Sequence, residues 1–209
     1  MRPQLLSVNV AEVREIPWRG RMVRTGIWKF PVTGRVAVRG VNVDGDDQAD
    51  RRVHGGEFQA VYAYAREDYA WWEGELGREL PPGTFGENLT VEGLDPTTAR
   101  VGEQWRVGSA LLEVSLPRIP CFKLGRKMEE PRFLKRFAAA RRPGCYFRIL
   151  EEGDIGAGDP IEVVARPGHD VTIGLLNEIK LHDRSLAVRV AEARDELPAG
   201  WLEWVAERG

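Results

Sequence analysis

Cys121 stands in the stretch Pro117-Arg118-Ile119-Pro120-Cys121-Phe122-Lys123-Leu124-Gly125-Arg126-Lys127. Two prolines fix φ and remove backbone donors, so a stiff loop is expected to carry the thiol. Arg118, Lys123, Arg126 and Lys127 are cations, and the stretch contains no carboxylate. Positive charge beside a thiol favours thiolate, which is both a nucleophile and a soft-metal ligand. The competing reading is a small buried hydrophobe, the usual state of a lone cysteine. The stretch alone leaves both open.

Three other segments carry polar groups next to glycines. In Val43–Gly56 the acids invite a calcium loop, but the sixth position from Asp44 is Ala49 and the twelfth is Gly55, where such a loop needs Gly and Glu. What remains is Arg51-Arg52-Val53-His54-Gly55-Gly56. Paired glycines admit a ligand close to the backbone, and Arg51 and His54 suit a phosphate or another anion. A turn with a solvated charge cluster explains the same residues. In Gly83-Thr84-Phe85-Gly86-Glu87-Asn88-Leu89, Glu87 and Asn88 can hydrogen-bond a heterocycle edge or a ribose-like hydroxyl, or simply shape a turn. In Thr25–Val32, Lys29 lies between apolar residues, either as a fixed cation in a cleft or snorkelling to water.

Several chemistries are missing. There is no Walker loop, no Gly-x-Gly-x-x-Gly after a strand, and no Cys-x-x-Cys or His-Glu-x-x-His zinc pattern. A Cys121/His54 nucleophile–base pair is formally possible. Thirty Lys+Arg against 32 Asp+Glu give a net charge of -2, without the basic excess of a nucleic-acid coat. No apolar run approaches the roughly 20 residues of a membrane helix, and the first residues do not read as a signal peptide. Two cysteines build no disulfide framework, so the expected setting is reducing and cytoplasmic.

The elements that must position these groups are short. Residues 1–165 have a β-rich texture, with strands expected at Leu5–Ile16, Arg35–Val43, Ala60–Tyr64, Asn88–Val91, Ala110–Ser115, Cys145–Leu150 and Ile161–Ala165. Many short strands between turns suggest a barrel or a sandwich. Helices are expected over Glu67–Leu76, stopped by Gly77, and over Pro131–Ala140. Residues 169–209 read as an appendage of three helices, Thr172–Lys180, Arg184–Ala193 and Pro198–Glu207, too small to fold alone.

Taken in order, the segments resemble the MOSC (molybdenum cofactor sulfurase C-terminal) domain family, in its YiiM-like branch. The resemblance rests on Gly26-Ile27-Trp28-Lys29-Phe30-Pro31-Val32, Gly45-Asp46-Asp47-Gln48-Ala49-Asp50, His54-Gly55-Gly56, Ala60-Val61-Tyr62-Ala63-Tyr64, Phe85-Gly86-Glu87-Asn88-Leu89 and Pro117-Arg118-x-Pro120-Cys121-x-Lys123-Leu124. Gly144-x-Tyr146-x-Arg148 and Gly158-Asp159 follow.

The resemblance implies a mainly β fold, a MOSC β-barrel with interspersed helices, and a pterin molybdenum cofactor. Cys121 would ligate molybdenum or carry sulfur. Lys29, Asp46, Arg51, His54, Gly55, Gly56, Glu87, Asn88, Arg118 and Lys123 would line the cofactor. Cations suit its phosphate, and Asn88 suits a pterin edge. The implied activity is reduction of N-hydroxylated compounds (base analogues, hydroxylamines, amidoximes), with electrons from an external electron-donor reductase. Sulfur transfer through a Cys121 persulfide and a non-catalytic cofactor carrier are the alternatives; the sequence lacks the pyridoxal-enzyme domain that loads sulfur in the first case.

Two positions depart from the family pattern. Gln59 stands where a lysine is common, and Cys145 stands where a bulky residue is common. Cys145 reads as a strand packing residue.

Overall fold

The computed structural model describes residues 2–46 and 56–207. The chain begins with β1 (Gln4–Ala11), β2 (Arg14–Trp18), β3 (Arg21–Thr25), β4 (Lys29–Pro31), β5 (Val36–Arg39) and β6 (Asn42–Val43). A 3-10 turn at Glu57–Gln59 leads into β7 (Val61–Ala65), α1 (Arg66–Leu76), β8 (Leu89–Glu92), β9 (Gln104–Val107) and β10 (Ala110–Pro117). Then come α2 (Phe122–Met128), α3 (Phe133–Ala140), β11 (Cys145–Glu151), β12 (Gly153–Ile155) and β13 (Ile161–Ala165). The chain finishes with α4 (Ile173–Leu181), a 3-10 segment at Arg184–Ala193 and α5 (Ala199–Ala206). No helix among the described residues is long and apolar enough to cross a membrane.

Eight strands form one sheet in the order β13-β9-β10-β11-β7-β8-β1-β4. Strand β10 is buried at every position because it runs between β9 and β11 with both faces covered. Among the described strands, only β7 and β8 pair in parallel, and α1 makes the crossover between them. The fold is therefore mixed α/β around a large sheet. A closed barrel was the sequence expectation, and the described strands do not form a continuous closed ladder. Instead, β1, the neighbour of the terminal strand β4, meets the turn that leads into β13 through a short patch. Leu5 N–H donates to Asp159 O at 2.9 Å, Gly158 N–H to Leu5 O at 2.7 Å, and Ile161 N–H to Pro3 O at 3.0 Å.

Strand periodicity sorts β7 between two cores. Val61 and Ala63 join the main cluster with Leu5, Leu112 and Phe147. Tyr62 and Tyr64 face a second, aromatic cluster with Tyr69, Trp72, Phe85, Phe133 and Phe137. That second cluster includes Leu124 and Met128 of α2 as well as residues of α1 and α3, so it fixes the helix that follows Cys121.

Several boundaries differ from the sequence expectation. The run Leu5–Ile16 breaks into β1 and β2, and β2 pairs only with β3 as a separate two-stranded ribbon. The stiff loop expected to carry Cys121 is present, and it runs directly into α2, a helix for which the sequence raised no expectation. Arg184–Ala193 is 3-10 in type. Gly77 does end α1, in the left-handed conformation at φ 65. Helix α4 and the 3-10 segment share the main core through Ile173, Leu176, Ile179, Val190 and Ala193, and α5 packs against it with the half-buried Trp201, Leu202, Trp204 and Val205.

Candidate functional site

Cys121 is the residue that precedes the first turn of α2, with extended backbone at φ -124 and ψ 166. Its carbonyl accepts from Leu124 N–H at 3.0 Å, so the chain turns into the helix at the thiol. The side chain is only partly buried, unlike the fully buried Cys145. Pro117 ends β10 and Pro120 precedes Cys121, which holds the connection short.

Arg118 is buried next to this thiol. Its Nη2 lies 3.9 Å from Cys121 Sγ, and its Nη1 donates to Tyr146 Oη at 2.7 Å. The guanidinium also sits over the Tyr62 ring, 5.5 Å from its centroid. Tyr62 and Tyr146 pack ring on ring at 4.9 Å, so two aromatic residues from β7 and β11 hold one arginine. The remaining donor, Arg118 Nε, is buried and has no hydrogen-bond partner. An unpaired buried donor costs about 1–3 kcal/mol, more when charged. Lys123 lies in the first turn of α2 and is also buried.

A second group of charges gathers on the other side. Lys29 Nζ pairs with Asp46 Oδ2. Asp46 also accepts from Ala11 N–H at 2.8 Å and from Asn88 Nδ2 at 2.8 Å. Asn88 gives its other hydrogen to Asn9 O at 3.3 Å and accepts from Tyr62 N–H at 3.2 Å. Both amide hydrogens are thus taken within the protein, and the donor expected for a heterocycle edge is a structural tie between β1, β7 and Asp46. Burial pushes the Lys29 ammonium below its ordinary range, against the pull of Asp46.

Glu87 is completely buried. It accepts from Gly83 N–H at 2.7 Å, Phe85 N–H at 3.1 Å, Thr90 Oγ1 at 2.9 Å and the Tyr69 hydroxyl. Burial raises its proton affinity, partly offset by these donors. Glu87 therefore shapes the Gly83–Asn88 loop from inside. At Gly83, φ is +85, and an added Cβ would collide with the Lys29 carbonyl. Only glycine allows this loop to lie directly on the segment that carries Lys29.

Lys127 was part of the cation-rich stretch but not among the candidate site residues. Its ammonium donates to Ile27 O at 2.9 Å and to Gly83 O, so it ties α2 to both loops. Burial holds it down at about 8, with Glu87 pulling upward and Lys29 and Arg118 pushing down. The signal in the sequence was spacing: Lys123 and Lys127 are four apart and share a helix face once α2 is known. Tyr146 enters the sequence pattern without a role, and Trp18 is not singled out by it. Trp18 stacks on Phe122, the neighbour of Cys121, with centroids 4.3 Å apart and planes at 18°.

The structure thus brings together Cys121, Arg118 and Lys123 at the start of α2, and Lys29, Asp46 and Asn88 behind the adjoining loops. Gly56 precedes the 3-10 turn with φ 105 and is exposed. Arg51, His54 and Gly55 lie outside the described residues, so the expected anion site there, and the Cys121/His54 pair, have no structural description.

The MOSC domain family matches residues 50–162. The uncharacterized protein YflK of Bacillus subtilis (strain 168) is 36% identical over 182 residues, which cover 87% of this chain and 82% of YflK. A protein of Gibberella moniliformis named "Reductase" is 34% identical over 167 residues, 78% of this chain but 29% of that longer protein. The crystal structure of YiiM from Geobacillus stearothermophilus superposes with a TM-score of 0.81 at 33% identity, covering 99% of this chain and 98% of that one. The chain belongs to the MOSC domain family, in its YiiM-like branch.

Proposed function

We propose that this chain holds a molybdenum cofactor with Cys121 as protein ligand and reduces N-hydroxylated compounds. The observation that carries this reading is the buried guanidinium of Arg118, which faces Cys121 Sγ and keeps one donor unsatisfied.

The residues present fit such a group. A thiolate is the preferred protein donor for a soft metal centre. Lys29, Arg118 and Lys127 lie close enough for each to feel another's charge. Facing them are Asp46, which is paired with Lys29, and Glu87, which burial biases toward its neutral form. The positive surplus suits an anionic, phosphate-bearing ligand. The cofactor, when bound, supplies the two-electron redox chemistry.

The chain's own residues do the rest. Cys121 offers its sulfur from a fixed turn. Arg118 donates toward that sulfur and is kept there by Tyr146 and Tyr62. Lys127 and Glu87 hold the surrounding loops at fixed spacing. Overall, R–NHOH takes up two electrons and two protons and gives R–NH2 and water; the electrons come from a separate reductase.

The test is metal analysis of protein made in a cofactor-competent host, beside the Cys121→Ser variant. About one molybdenum per chain in the parent and none in the variant supports the reading. Full reductase activity in Cys121→Ser sinks it. Sulfur carriage through a Cys121 persulfide would instead add one sulfur atom to the intact mass.

A further inference from the structure

The C-terminal elements leave an apolar groove that the cofactor reading does not use. It encloses about 650 Å³ between the 3-10 segment Arg184–Ala193 and α5. In a 3-10 segment, side chains three apart lie on one row. Ala187, Val190 and Ala193 form the inner row, and Val190 and Ala193 are buried in the main core. Val188, Ala191 and Arg194 continue the same period as an outer row, and all three are exposed. Val188 is 78% exposed, the most exposed large apolar side chain among the described residues. Leu202, Val205 and Ala206 of α5 complete the apolar lining. The two elements also give the groove opposite charges, Arg194 from one and Glu203 from the other. Among the described residues, neither of these exposed side chains has an ion-pair partner.

We infer that this groove is the contact between two copies of this chain, related by a two-fold axis. Val188 of each copy enters the groove of the other, and Arg194 of each meets Glu203 of the other. The inference goes beyond the cofactor reading and does not depend on it. A two-fold contact must be complementary to itself. This one face carries both halves of two complements: an apolar knob with an apolar groove, and a cation with an anion. Ala191 and Ala206 are small and exposed, so a second backbone can approach closely. Exposed apolar surface with a polar rim marks an association site. The charges choose the occupant. A fatty anion would satisfy Arg194 and be repelled by Glu203, and a partner of one charge sign meets the same conflict. A second copy satisfies both charges at once.

Sedimentation equilibrium on the full chain tests this, at concentrations up to about 100 μM, where a contact of micromolar affinity is largely formed. The parent is compared with Val188→Asp, Arg194→Glu, Glu203→Arg and an equimolar mixture of the last two. The expected parent mass is that of two chains. Each single variant should weaken association about tenfold or more, through a carboxylate in the groove or through like charges that face each other twice. In the mixture, one copy of each variant restores opposite charges at both contacts, so dimers should return. Thermal unfolding of each variant, measured where all are single chains, should stay close to the parent because the three side chains are exposed. A parent that remains a single chain throughout overturns the inference. So does a dimer that Val188→Asp leaves intact, which places the contact elsewhere. A mixture that associates no better than its components overturns it as well. A single-chain parent whose native mass includes a bound lipid assigns the groove to a ligand and also overturns it.

Discussion

Arg118 Nη2 points at Cys121 Sγ from 3.9 Å while Nη1 of the same group is anchored on Tyr146 at 2.7 Å. The arginine is therefore oriented by a residue from β11, far from the thiol in sequence. A lysine cannot reproduce this, because it lacks the planar fork that reaches two partners at once. Arg118→Lys is expected to lower molybdenum occupancy and reductase activity about 10–100-fold, the usual penalty for losing a group that orients a metal ligand. Metal analysis at limiting cofactor and steady-state rates check this. Unchanged occupancy and rate would show that the fork is dispensable.

The two cysteines should behave oppositely. Cys145 is fully buried in β11 opposite Ala63, and burial pushes its thiol well up. Cys145→Ala removes one sulfur atom from the core and is expected to cost about 1 kcal/mol while leaving metal content intact. Chemical denaturation and metal analysis read the two effects separately. Loss of metal in Cys145→Ala would mean that this residue does more than pack.

Asp46 carries three partners, one of them the ammonium of Lys29. Neutralising it in Asp46→Asn leaves Lys29 buried without its counter-charge. The expected loss is about 3–5 kcal/mol, the range for removing one member of a buried ion pair. The double variant Asp46→Asn with Lys29→Met should recover part of that loss, measured by urea unfolding. A double variant that simply adds the two single penalties would show that the pair is not coupled.

Lys127 gives a pH signature. Its ordinary value is 10.5, and in the folded protein it is held down at about 8. Between those two values the unfolded chain keeps a proton that the folded chain has released. Stability contributed by this group therefore rises as pH increases from 8 toward 10.5. The parent protein should gain melting temperature over that window relative to Lys127→Met. Parallel curves for the two proteins would refute the assignment.

Cys121 and its cations are legible in the sequence because proline, cysteine and arginine cluster within a few positions. Most strands and α1 are legible for the same local reason: alternation and a Gly77 stop are visible within ten residues. Helix α2 was not legible because it has only seven residues and contains Gly125. That glycine would lower any helix expectation, yet it sits against Leu134, where an added Cβ would meet Leu134 Cγ at 3.3 Å. The internal ties of Asn88 were not legible because the partners that take its amide, Asp46 and Asn9, lie 42 and 79 residues away. The role of Tyr146 was not legible because its contact with Arg118 spans 28 residues and two strands. Chemistry that depends on residue type was readable; chemistry that depends on which strands become neighbours was not.

The short patch that joins β1 to the start of β13 also sets a timetable. The first strand can meet β4 almost at once and β8 after about 90 residues have appeared. Its bonds around Leu5 need Gly158 and Asp159, which emerge long after β4 and β8. At roughly 5–20 residues per second, that is a wait of about 8–30 s on the ribosome. During synthesis the N-terminal half of β1 is thus an open strand edge, and the final seam of the sheet forms only once residues 158–161 have been made.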